Sequence, residues 1–184
     1  MYKYDSPFHS DFLIHWTGKD IEKRFHTTKW TENHSSIICE AAGKAYLERL
    51  KYILKYGLWL TKDDNEKILR INGEEIVTPN PPRVCFTELK LSDVRSHAAQ
   101  YGRLGIGFKR FYVFDRLGGP MHYYQDKVKY TWFINSIFSK SKRFKKDDYY
   151  SCFLKGMAER SKTDDQTLDY KYFDEAEWRI IYSK

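Results

Sequence analysis

Three places in the chain set polar side chains at the ends of short apolar runs, where a β-strand would deliver them to a sheet edge. His15 and Thr17 close the run Phe12-Leu13-Ile14. Arg83, Thr87 and Glu88 flank Cys85-Phe86. Glu175, Glu177 and Arg179 surround Trp178. Imidazole and carboxylate move protons or hold developing charge, and guanidinium grips phosphate as a bidentate donor. His97 and Tyr101, one helical turn apart, add a fourth group. Each constellation has a structural alternative. A histidine beside a strand can serve only as a hydrogen-bonded packing residue. Glu177 and Arg179, on one strand face, can pair with charges on a neighbouring strand. Glu88 can be a solvated residue before a helix, and His97 with Tyr101 a half-buried helix face.

Other motifs narrow the chemistry. Gly102, Gly105 and Gly107 spell GxxGxG, the dinucleotide fingerprint reversed, and they do not join a strand to a helix start. They fit a helix cap and a close backbone approach better than a Rossmann site. No GxxxxGK[ST], HExxH or GxSxG occurs. Lys140, Lys142, Arg143, Lys145 and Lys146 enclose Phe144. This basic run would contact the phosphates of a nucleic acid, or else be a solvated loop. His26 and His34 are not at ligand spacing, so no metal site is assigned. His15, His97, Glu88 and Glu177 would also suit acid–base or metal-assisted nucleic-acid cleavage.

These residues need a scaffold. Phe12–Thr17 reads as a buried strand bounded by Gly18, followed by a polar segment over 18–36 that is loop or broken helix. Ile38, Ala41, Ala42, Ala45, Leu50, Ile53 and Leu54 recur at helical spacing, so a helix is expected from about Ile37 to Tyr56, with Ser36 as N-cap and Gly57 past its end. Trp59-Leu60 reads as a short strand, and Thr61 as the cap of a helix running to about Arg70 and stopping near Gly73. Pro79, Pro81 and Pro82 make a loop. Arg83–Leu89 is expected to be a strand with Val84 and Phe86 on one face. Ser92 would cap a helix through Tyr101, closed by Gly102. Ile106–Phe114 and Met121–Gln125 read as the strands of a hairpin turned by Gly118-Gly119-Pro120. Helices are expected near 128–138 and 150–157, and a closing strand over 172–182 with Trp178, Ile180 and Tyr182 on one face. The pattern is α+β: small mixed or antiparallel sheets flanked by helices. It forms one domain over 1–184, with a basic helical or loop insertion at about 128–167.

Composition agrees with a folded core. At 41% hydrophobic, 31% charged and 17% aromatic, the chain is excluded from the disordered, collagenous and coiled-coil classes. A net charge of +7 permits a polyanionic partner. Three cysteines without CxxC spacing point to a reducing setting rather than a disulfide framework or a structural zinc. No apolar run approaches membrane-span length, and the first residues are no signal peptide. A soluble cytoplasmic protein is expected.

The ordered set "HWT", "YILKYGLWL", "CFTELKLSDVRSHAAQYGRLGIGF", "GGPMHYY" and "EAEWRIIY" resembles the AbiGi family of bacterial abortive-infection proteins. The similarity runs from His15 to Arg179. It implies phage defence and a place in a toxin–antitoxin pair, with a partner from a defence operon. A more distant similarity links the His-x-Thr strand and the following helix to ADP-ribosyltransferase-like domains. That resemblance implies NAD as cofactor. His15 would hold the ribose, with Thr17 beside it, Phe86 and Thr87 would meet the nicotinamide, and Glu177 would stabilise positive charge developing on the ribose as nicotinamide leaves. Arg83 and Arg179 would hold phosphates. Phe86 has no phenol hydroxyl, and Trp178-Arg179 after the E-x-E pair is outside that pattern. Transfer of ADP-ribose to a macromolecule is the first expectation. A non-catalytic antitoxin or regulatory module binding a toxin or nucleic acid is the second, and a nuclease the third.

Overall fold

The computed structural model describes residues 11–25, 36–62, 68–71, 74–88, 94–124, 149–156 and 176–182. Strand β1 (Phe12–Thr17) leads into helix α1 (Lys19–Arg24) and the long helix α2 (Ser36–Tyr56). A hairpin, β2 (Ile68–Ile71) and β3 (Glu74–Val77), precedes β4 (Arg83–Thr87). Then follow α3 (Val94–Tyr101), β5 (Leu104–Lys109), α4 (Arg110–Phe114), β6 (Gly119–Pro120) and β7 (His122–Tyr124). A 3-10 turn (Tyr149–Phe153), β8 (Leu154–Gly156) and β9 (Glu177–Ile181) complete the described chain. The architecture is α+β. Its main sheet has the order β5-β1-β4-β9-β6, beside two-stranded sheets β2-β3 and β7-β8. The β1–β4, β1–β5 and β6–β9 pairings are antiparallel, and β7–β8 is parallel.

The chain divides into two compact units, one from Met1–Trp59 with Phe86–Tyr112, the other from Leu60–Cys85 with Val113–Lys184. Strand β4 contributes Phe86 and Thr87 to the first and Arg83–Cys85 to the second. In the first unit, β1 pairs with β5 along its whole length, from Phe12 opposite Lys109 to Thr17 opposite Leu104. Leu13, Ile14, Ile21, Ala42 and Phe86 are buried there. Burying a side chain such as Leu13 contributes about 2 kcal/mol. In the second, Val84, Val113, Met121, Cys152, Leu154 and Trp178 form the apolar interior.

Several expectations hold for physical reasons that can be seen. Helix α2 covers Ser36–Tyr56, and the Gly57 amide donates to the Ile53 carbonyl at 2.8 Å with φ 87°, the left-handed closure that glycine favours. Gly102 closes α3 in the same manner, with φ 110°. A Cβ there would run into the backbone of Thr17, Gly18 and Lys19, so the glycine also lets the end of α3 lie against the end of β1. At Gly105 a Cβ would sit 2.9 Å from the Trp16 ring, the close approach expected of a glycine inside a strand.

Other elements differ from expectation. Ile68–Arg70 is strand, not the end of a helix. Its antiparallel register with β3 opposes Ile68 to Val77 and Ile71 to Glu74. Trp59-Leu60 is not a strand; the next residue, Thr61, makes a single bridge to Arg83. The strand expected over 106–114 stops at Lys109, because its partner β1 ends at Phe12. The Arg110 amide bonds the Asp11 carbonyl at 3.0 Å, and the unpaired continuation coils into α4. No hairpin joins β5 to β7. Instead, Gly119 and Pro120 pair with Arg179 and Trp178 at the sheet edge, where a residue without an N–H is tolerated. Residues 149–156 are a 3-10 turn and a strand rather than a helix, because β8 finds β7 as a partner. The helix expected at 128–138, its basic run and the cap at Ser92 lie outside the described residues.

Candidate functional site

Strand β9 carries Glu177 and Arg179, which with Lys155 form a cluster of charge among the described residues of the second unit. Alternation on a strand puts Glu177 and Arg179 on one face, as expected. Their partner is each other: Arg179 Nε donates to Glu177 Oε1 at 2.6 Å. Lys155 Nζ, delivered by β8, donates to Oε2 at 2.9 Å. Both carboxylate oxygens are thus engaged. Arg179, 2% exposed, also donates from Nη1 to the Cys152 carbonyl at 2.9 Å. The backbone on either side is tied down as well: the Glu177 amide donates to the Tyr123 hydroxyl at 3.1 Å, and the Met121 amide to the Glu177 carbonyl at 2.8 Å. Trp178 packs edge-on against Phe114 at 5.2 Å. Glu177, Trp178 and Arg179 are all buried, so β9 is covered on both faces at this end, unlike a half-exposed strand.

The electrostatics follow from that packing. Burial pushes the Glu177 carboxyl up. The charges of Arg179 and Lys155, with hydrogen bonds from Arg179 and Cys85, outweigh burial and hold it at about 2. It is a carboxylate at every physiological pH. Lys155 and the cysteines were not readable as partners in the sequence. One signal existed: Lys155 directly follows the apolar run Cys152-Phe153-Leu154, where a cation drawn towards the interior needs an acidic partner. Arg83, on β4, is buried; its Nη1 donates to Asn80 Oδ1 at 3.3 Å and its backbone bridges Thr61.

The first unit holds the other sequence candidates. His15 lies edge-on to Phe86, with ring centroids 6.0 Å apart, and Phe86 stands T-shaped on Phe108 at 5.5 Å. Phe86 is 1% exposed, so its ring is covered by packing. Thr87 is buried opposite Ile14. The Thr17 hydroxyl accepts from Arg49 Nη1 at 3.2 Å, and Arg49 also pairs with Asp20 at 2.5 Å. The hydrogen bond from Arg49 is the main cause that lowers the Asp20 carboxyl. Glu88 pairs with Arg110. Buried His97 packs on Tyr101 at 5.9 Å. Glu175 and the basic run Lys140–Lys146 fall outside the described residues. His15 belongs to the first unit and Glu177 to the second.

A network absent from the sequence reading sits beside Gly18. Glu22, 1% exposed, accepts from the Tyr46 hydroxyl at 3.1 Å and lies 3.3 Å from Arg103 Nε and 3.5 Å from Lys19 Nζ. Burial and the Glu22 carboxylate keep the Tyr46 phenol above its ordinary value. Gly18 has φ 107°, and a Cβ there would overlap the Tyr46 ring. The "HWTG" and "YG" motifs therefore serve first to let β1, α2 and α3 approach one another. Among the described residues, no three His, Cys, Asp or Glu side chains gather as a metal site would require, and no helix is long and apolar enough to cross a membrane.

Charged side chains paired within each unit, on an α+β scaffold built around a five-stranded sheet, define the class. The family model described as abortive phage resistance protein AbiGi, antitoxin, matches residues 59–184. That is more than half of the chain, and the chain belongs to the AbiGi family. The match begins at Trp59, so the "HWT" strand and α2 precede it. No curated protein and no solved structure matches the chain. The likeness to ADP-ribosyltransferase-like domains gains no support from these comparisons.

Proposed function

We propose that this chain is the neutralising, non-catalytic member of a phage-defence pair and that it acts by binding a toxin protein. The observation that carries this reading is the state of Glu177. A general acid or base works with a pKa near the operating pH, and a charge-stabilising carboxylate needs an oxygen turned towards the ligand. Glu177 is held at about 2, and its two oxygens accept from Arg179 and Lys155. Such a group acts as a fixed anion that pins buried Arg179 and part-buried Lys155. The family description as an antitoxin supports the same conclusion.

Transfer of ADP-ribose from NAD is the second reading, and one observation favours it: His15 and Phe86 are neighbours. For Phe86 to stack on nicotinamide, its covered ring would have to be uncovered. Co-expression with the product of the adjacent gene separates the two. A neutralising binder rescues growth that the adjacent product arrests, and purified chain incubated with labelled NAD, cell extract, DNA and RNA transfers no label. Label transfer that is lost in a folded Glu177→Gln variant refutes the non-catalytic reading.

A further inference from the structure

The Glu177 carboxylate on β9 is paired internally, whereas α2, upstream of the family match, carries exposed apolar side chains. Ten residues of this helix, Leu47–Tyr56, run about 15 Å. Ala42 is buried within the first unit, while Tyr46, Arg49 and Ile53 are part-buried. At 100° per residue, Leu47 and Leu54 fall within about 20° of each other on the far side. Leu54 is 75% exposed and Leu47 about half. Tyr52 and Tyr56 form a second exposed rail, with rings stacked at 6.0 Å. Trp59, just past the helix, is 83% exposed. Single exposed apolar residues need no explanation, but these five lie on one helix and at its end. Tyrosine and tryptophan are also the side chains that most often anchor protein interfaces.

The arc between the rails decides what fits. It holds Lys51 and Lys55, with Glu48 beside them. Among the described residues, Lys44 pairs with Glu40 and Arg49 with Asp20, whereas Lys51 and Lys55 have no carboxylate partner. The Lys55 ammonium rests over the Tyr56 ring at 5.0 Å. Two lysines against the one carboxylate of Glu48 leave the arc between the rails net positive, which complements an apolar segment that carries carboxylates along its middle. A second copy of this strongly basic chain would bring the same lysines against themselves.

We infer that the exposed face of α2, from Leu47 to Tyr56, is the docking surface for an acidic, apolar segment of the partner protein. This rests on the proposal that the chain neutralises a toxin. The test titrates the full chain with the product of the adjacent gene by calorimetry, at low and at physiological salt. Wild type binds, and binding weakens with salt because the paired charges are screened. The double reversal Lys51→Glu/Lys55→Glu lowers affinity about tenfold or more, and Tyr56→Ala does likewise. Lys109→Glu, the same Lys-to-Glu reversal at a single exposed site on β5, leaves affinity unchanged. These sites are exposed, and circular dichroism checks that each variant folds. Equal affinity of wild type and the double reversal overturns the α2 surface while leaving the neutralising role intact. Absence of binding by wild type overturns both. Dimerisation of wild type that Leu54→Lys abolishes, seen by light scattering, assigns the face to a second copy and overturns the inference.

Discussion

Replacing Glu177 by Gln tests whether the β9 cluster is a structural clamp. Gln keeps the shape and removes the charge, so buried Arg179 and part-buried Lys155 lose the Glu177 carboxylate. The carboxyl falls from an ordinary 4.5 to about 2 on folding. That drop corresponds to about 3 kcal/mol of stability. It agrees with the 3–5 kcal/mol (roughly) by which removing one partner of a buried ion pair destabilises proteins. In a chain of this size the melting temperature should fall by about 6–12 °C. The pH dependence is more discriminating. The folded pKa lies below the unfolded one, so as pH falls the unfolded chain takes up the proton first. The stabilisation is complete above about pH 4.5 and is lost between about pH 4.5 and 2. Urea unfolding of both proteins, followed by tryptophan fluorescence, should show a gap of about 3 kcal/mol at pH 7 that narrows steadily below about pH 4.5. A gap under about 0.5 kcal/mol at pH 7, or one that persists unchanged at pH 3, would refute the clamp. The double variant Glu177→Gln/Arg179→Met should recover part of the loss, since the uncompensated cation is gone.

Gly57→Ala and Gly102→Ala should separate two roles of glycine. Both positions have positive φ, but a Cβ at Gly57 meets open space while one at Gly102 meets backbone. Chemical denaturation should give a loss of about 1 kcal/mol for the first and distinctly more for the second. Tyr46→Phe removes the hydroxyl bonded to buried Glu22 and should cost about 1–2 kcal/mol by the same measurement. Arg49→Ala breaks the pair to Asp20, whose side chain is largely exposed, and should change the melting temperature little.

Local pattern alone determined a good part of this protein. Helix α2 followed from apolar spacing and Gly57, β1 from an apolar run ending at Gly18, and β4 and β9 from alternation. The α+β class followed from their order, and the family resemblance from short motifs strung along it. Each of these is set by interactions within a few residues. Where a partner was needed, pattern was not enough. Ile106–Phe114 has uniform strand composition, yet it is half strand and half helix because β1 runs out at Phe12. Lys155 looked like part of a helix until β7 offered it a parallel neighbour. The candidate site shows the same division. Sequence placed Glu177 and Arg179 on one face, but only tertiary structure decided that they bond each other, that Lys155 takes the remaining oxygen, and that Phe86 is covered by Phe108. Residue type says what a side chain can do. Whether it does so depends on burial and on which charges stand within a few ångströms, and those are set by segments far apart in the chain.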